Sequence, residues 1–328
     1  MHRYLAFAAA AAILAAPSGA LACACGCGVF DVGDGTFTPN DGDTGVSIWV
    51  RDSYMDQNAN QEGDRQASPT DNADKRLTSD FVFVGGQYVI SRDWMVMAQL
   101  PIVNRALTTT DDGTVFGPAG SRYTGRVRAL GDLDVMATYT GFDADQTTGV
   151  SFGLKLPTGD WHGPRGPLGG AEFDRDTLPG TGSTDVIVGA YRVGSLNKAG
   201  TRTYFLQARY QAAFATQDGY RPGNELDWAA GLDWRLGAIG PSGKVTALLQ
   251  LVGSDRARDS GVNADPANTG YDRVLISPGL EIKIHKVRFL GTIEIPIWQR
   301  VNAAALPADN AGQLVAPALF SLQASYAF

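Results

Sequence analysis

The sequence predicts an all-β fold, an antiparallel transmembrane β-barrel of about twelve strands with short periplasmic turns and long extracellular loops. Three observations carry this expectation. Apolar and polar residues alternate along many segments, the connections between those segments alternate in length, and a secretion-type start is matched by an aromatic final residue.

The alternation is clearest from Glu225 to Leu236. Leu226, Trp228, Ala230, Leu232, Trp234 and Leu236 share one face, while Glu225, Asp227, Gly231, Asp233 and Arg235 share the other. A period of two is a strand period. Tryptophans near the apolar ends suit a membrane-interface girdle, and the charged face suits a wet lumen. From Tyr204 to Phe214, Leu206, Ala208 and Tyr210 point one way and Gln207, Arg209 and Gln211 the other. From Val287 to Ile297, Phe289, Ile293 and Ile295 oppose Arg288, Thr292 and Glu294.

The predicted strands are 44–55, 79–90, 94–104, 130–142, 148–158, 184–194, 202–215, 224–236, 244–254, 272–284, 287–299 and 315–328. The short connections are 91–93, 143–146, 195–200, 238–243 and 285–286. The long ones are 56–78, 105–129, 159–183, 255–271 and 300–314, with 216–223 intermediate. Outer-membrane barrels alternate in this way, and an even strand count puts both ends in the periplasm. A soluble β-sandwich has no reason to do so.

Met1-His2-Arg3 is a basic start, Leu5 to Ala16 an apolar run, and Ala20-Leu21-Ala22 a small-x-small cleavage pattern. Residues 1–22 therefore read as a signal peptide. Residues 23–43 are expected to form a cysteine-containing periplasmic segment, and 44–328 the barrel. Phe320, Leu322, Ala324, Tyr326 and Phe328 share one face of the last strand. That ending resembles the signal read by the barrel assembly machinery, with Phe328 as the contact. The expected location is the outer membrane, in contact with its lipid. A net charge of −7 argues against nucleic acid, which requires a basic patch.

The inward face is the candidate functional surface. It takes in Arg51, Asp132, Asp134, Lys155 and Asp185, then Arg209, Glu225, Asp227, Asp233 and Arg235, and finally Glu281, Arg288 and Glu294. Gln207, Gln211, Arg273 and Lys283 join them. Mixed signs predict a narrow polar lumen bridged by ion pairs, without strong selectivity for one ion sign.

Cys23, Cys25 and Cys27 lie within five residues, ahead of the barrel. Thiolates so spaced suit a soft metal such as Cu(I) or Zn(II). A disulfide or tether at the periplasmic mouth, and lipidation of Cys23, are the other readings. No other cofactor is expected. His162 and His285 stand alone, and although Ser183, Asp185 and His162 share one loop region, no nucleophile elbow surrounds the serine. An enzyme is not expected.

Three motifs recur in order: LGDLDVMATY from Leu130, GLKLPTGD from Gly153 and PGTGSTDVIVGAYR from Pro179. Together they resemble the outer-membrane family associated with the MetA pathway of phenol degradation, over most of 79–328. The stretch from Ala24 to Gly33 departs from that family's pattern and suggests a subgroup. The resemblance implies a passive channel for small molecules, aromatic or hydrophobic ones among them, gated by loops 56–78, 105–129 and 159–183. The alternative is a structural or electron-transfer barrel that anchors a metal or a periplasmic redox partner through the cysteines. Physically, the glycines and Pro157 of these motifs suit strand ends and turns, and Asp132, Asp134, Lys155 and Asp185 suit a lumen ion network.

Overall fold

A computed structural model describes residues 29–33, 45–111, 117–163, 173–303 and 312–328. The strands are β1 (Gly45–Gln57), β2 (Ala59–Glu62), β3 (Arg65–Gln66), β4 (Asp74–Ser91), β5 (Trp94–Thr110), β6 (Arg122–Leu130), β7 (Leu133–Tyr139) and β8 (Thr148–Leu156). They continue with β9 (Thr184–Ser195), β10 (Arg202–Ala215), β11 (Glu225–Ile239), β12 (Gly243–Arg256), β13 (Tyr271–Ile284), β14 (Val287–Val301), β15 (Gln313–Val315) and β16 (Leu319–Ala327). A single 3-10 turn spans Arg175–Thr177.

Every ladder is antiparallel. The order β4-β1-β16-β14-β13-β12-β11-β10-β9-β8-β7-β5 closes on itself because β4 also pairs with β5. β6 and β7 both pair with β5, at Ile102↔Leu130 and Gln99↔Asp134, and are two halves of one crossing broken at Gly131-Asp132. The wall is thus a closed barrel of twelve crossings. Closure matters because lipid offers no partner to an edge N–H or C=O. No helix among the described residues is long and apolar enough to cross a membrane; the strands do so instead.

The outer face carries the apolar side chains. Val50, Val84, Val96, Leu206, Leu249, Leu251 and Ile293 are exposed in mid-strand. The band ends sharply on the extracellular side. Val82, Ile102 and Leu130 face each other across three strands, and two residues further out the same row reads Asp80, Asn104, Arg128. The periplasmic rim is aromatic: Trp94 and Tyr139 lie 5.1 Å apart, Phe142 packs edge-on against Tyr139, and Tyr326 meets Phe328 at 4.9 Å. This is the girdle expected of a membrane barrel.

Two stretches expected as loops are ladder. β4 begins at Asp74, β5 runs on to Thr110, and β6 pairs with it from Arg122. Within 56–78, β2 and β3 form a small second sheet with β15. Above the apolar band the hairpins keep their backbone pairing but lose apolar side chains outside, so the alternation disappears while the strands continue.

Position along the crossing sets the cost of charge on the outer face. Leu206→Arg, in mid-band, is expected to lower unfolding free energy by ~2–4 kcal/mol, and Ile284→Arg, at the periplasmic rim, by only ~0–1 kcal/mol. Urea unfolding in lipid bilayers measures both, and equal losses would misplace the band.

Candidate functional site

Inward positions lie opposite the apolar ones on each strand, and in a wide porin they would be uniformly polar. Here they are not. Met97, Met136, Ile187, Phe205, Leu248, Val252, Leu275 and Leu290 all point inward and form one buried cluster. This apolar belt is completed by Phe30 and Val32, which belong to no strand. Residues 29–33 therefore occupy the lumen, not the periplasm. Val29 packs near Met55 and Leu319, while Gly33 reaches Gln207 and Gln250. Burial of each apolar side chain contributes about 1.5–3 kcal/mol, which a periplasmic position would forgo.

Asp31, between Phe30 and Val32, faces the polar side of the lumen. Arg51 donates to its Oδ1 at 2.7 Å, and Arg209 stands 3.9 Å from its Oδ2. Arg209 also holds Asp134 at 3.1 Å. The result is a chain of alternating charge, Arg51–Asp31–Arg209–Asp134, built from β1, the inserted segment, β10 and β7. The Gly33 N–H donates to Gln207 Oε1 at 2.8 Å. Gly33 has φ +115°, in the left-handed region, and an added Cβ would lie 3.1 Å from Gln250 Oε1. Glycine is required where the segment turns. The Arg273 guanidinium covers the Phe30 ring at 4.3 Å.

Beside the segment lies a small cavity of about 30 Å³, bordered by Phe30, Arg51, Ser53, Glu294, Leu319 and Ser321. Glu294 is buried, and its Oε2 has no hydrogen-bond partner among the described residues.

The extracellular mouth is covered as well. Phe173 and Leu178 pack against Leu77, Leu107, Val127 and Leu314. Arg105 donates to the Thr177 carbonyl, and Arg175 donates to the Thr181 carbonyl at 2.7 Å while covering the Tyr220 ring at 4.6 Å. Tyr220 donates to Asp259 at 2.6 Å. Burial and that carboxylate push the Tyr220 hydroxyl well above its ordinary range, so it stays a donor.

The three sequence motifs meet where β6 gives way to β7. Lys155 donates to Asp132 at 2.9 Å, sits 3.2 Å from Asp185, and also reaches Thr181 and Ser183. Asp132 further accepts from the N–H groups of Gly159 (3.0 Å) and Thr181 (2.9 Å). Both legs of the 157–183 connection are thereby tied to the strand break. A Cβ on Gly159 would lie 2.7 Å from the Gly131 carbonyl carbon and 2.8 Å from the Gly180 Cα. Only glycine permits that crossing of backbones. Ser183 donates to Asp185 at 2.6 Å and is fully buried, whereas His162 is exposed on the Trp161 ring.

The remaining candidates scatter. Glu225 accepts from Ser254 and Tyr271, and Asp227 is buried nearby. Asp233 accepts from Thr203 at 3.2 Å, and Glu281 pairs with Arg288. Arg235 is exposed, next to a register shift that ends at Gly237, and lines the periplasmic mouth with Lys244. Cys23, Cys25 and Cys27 lie outside the described residues. The sequence marked Phe30, Asp31, Val32 and Gly33 only as part of the stretch that departs from the family's pattern and gave them no place in the lumen, although a charge between two apolar residues outside any periodic segment was a further local sign.

Fold and outer face define an outer-membrane β-barrel. Its described parts are similar to an outer membrane channel from Pseudomonas putida F1, with a TM-score of 0.61 at 13% identity, covering 89% of this chain and 99% of that one. They are also similar to the beta domain of the Bordetella autotransporter BrkA, with a TM-score of 0.51 at 15% identity, covering 87% and 100%. At such identities the likeness is one of fold. No protein-family model and no curated relative matches the chain.

Lys155→Ala leaves two buried carboxylates without their cation, so a loss of about 3–5 kcal/mol is expected. Gly159→Ala is expected to reduce the yield of folded barrel as well. Heat-modifiable migration and urea unfolding test both, and unchanged stability in Lys155→Ala would show that the node is not structural.

Proposed function

We propose that this barrel is a passive outer-membrane channel for small, predominantly apolar molecules, closed at rest by residues 29–33. The apolar belt carries the proposal. A lumen built for hydrated solutes has no use for a ring of methionine, leucine and phenylalanine, which costs water its hydrogen bonds. An apolar or aromatic solute can replace Phe30 and Val32 there at little cost. The solved structure from Pseudomonas putida is described as an outer membrane channel, which supports the reading.

Opening requires Asp31 to leave Arg51 and Arg209. Arg209 keeps Asp134. Arg51 shares a cavity wall with Glu294, whose carboxylate is near Arg273 as well as Arg51 and has no hydrogen bond at Oε2 among the described residues. Glu294 is thus the acceptor that stands in for Asp31 in the open state. An uncompensated buried guanidinium would otherwise oppose release by several kcal/mol.

Single-channel conductance tests this. Removing residues 23–43, or Asp31→Asn, is expected to raise the open fraction on the order of ten-fold, about 1.4 kcal/mol. Glu294→Gln is expected to lower it. Entry of an apolar fluorophore into intact cells should follow the same order. Silence of the truncated barrel in both assays would overturn the channel reading.

A further inference from the structure

The outer face of β6 carries a feature that lumen chemistry does not use. Leu130, Arg128, Arg126, Thr124 and Arg122 alternate with the inward residues Gly125 and Val127, so they all project outward. Arg122, Arg126 and Arg128 are exposed, and none has an ion-pair partner among the described residues. What sets these three apart is their alignment in one outward row on a single strand of a barrel whose net charge is −7; other exposed arginines stand singly. Arg76, across β5 on the neighbouring strand, is neutralised by Asp56 at 2.8 Å.

The level of the row is fixed by register. Leu130 stands in the last apolar row, beside Ile102 and Val82, and Arg128 stands in the first polar row, beside Asn104. Two residues of strand rise span about 6.6 Å. With strands tilted by about 40°, Arg128 and Arg126 therefore sit about 5 and 10 Å beyond the last lipid-facing leucine along the membrane normal. That is the depth of the headgroups, and Arg122 continues the row outward. β5 offers Asn104, Ala106 and Thr108 alongside, with no acid among them.

We propose that this arginine row binds the phosphate groups of an outer-leaflet glycolipid. Guanidinium forks match phosphate oxygens in pairs, and the edge of a membrane makes such pairs stronger than in bulk water. In such a leaflet, divalent cations screen phosphates from each other; a fixed arginine does the same and does not wash out with chelator. Among the described residues, β6 pairs above Leu130 with no strand but β5. Cations on an edge strand discourage pairing with another chain. That role needs charge alone and no lipid.

Native mass spectrometry of the full chain, released from detergent after addition of diphosphorylated lipid A and EDTA, separates these roles. Wild type is expected to retain the lipid at least ten-fold more than R122Q/R126Q/R128Q. R65Q/K198Q/R202Q, which removes the same charge elsewhere, is expected to retain it like wild type, and heat-modifiable migration confirms that each variant is folded. Fully dephosphorylated lipid A should not be retained. Equal retention by wild type and R122Q/R126Q/R128Q would overturn the proposal. So would equal binding of the phosphate-free lipid, or displacement by inorganic phosphate at matched concentration, which would mark a site for free anions.

Discussion

A strand that crosses lipid must place every backbone N–H and C=O on a neighbouring strand, and the rest of the molecule depends on that constraint. It forces closure through β4 and β5, and closure fixes which side chains face lipid and which face each other. Alternation then divides each strand into an outer face set by the membrane and an inner face that the membrane does not constrain. The outer face is uniform around the barrel. The inner face is where this protein departs from a simple pore.

Inside, an apolar belt and a chain of charges lie side by side, and residues 29–33 are built to match both. Phe30 and Val32 take the belt while Asp31 takes the arginines. The charge gives the segment its register, because a slip of one residue would place a carboxylate among methionines and leave Arg51 bare. The apolar contacts supply burial. At the other end of the lumen, Phe173 and Leu178 repeat the arrangement with Arg105 and Arg175 as the polar part. Chain thus packs into the lumen at two levels among the described residues.

The twelve crossings were legible because the membrane writes its pattern on the sequence. From Glu225 to Leu236 the outer face must be apolar, and the period shows. β6 was not legible for the same reason. Its outer face lies above the lipid and carries Arg122, Arg126 and Arg128, so no apolar alternation marks it as strand. Within the lumen, residue type was legible and partnership was not. Asp132, Asp134, Lys155 and Asp185 all suit an ion network, but strand register and tilt give Lys155 to Asp132 and Asp185, and Asp134 to Arg209. Asp31 was out of reach, since it belongs to no periodic segment and its partners are 20 and 178 residues away along the chain.

A segment held only by apolar contacts would be hard to remove without a solute to take its place. One held only by ion pairs would be hard to remove at all, because each departure would strand a buried charge. Combining the two changes the balance. A solute that fills the belt replaces Phe30 and Val32 contact for contact, and what remains is the exchange at Arg51. A buried ion pair contributes little net stability relative to solvated partners, although breaking it without replacement is costly. On the proposed opening, the barrier to release therefore lies mainly in whether Arg51 finds a second carboxylate. Glu294 is in the right cavity and is held by no hydrogen bond at Oε2. A carboxylate oxygen kept buried without a donor is an expense for the closed barrel, and on the proposed opening a place for Arg51, beside the Arg273 that Glu294 already faces, is the physical account for it.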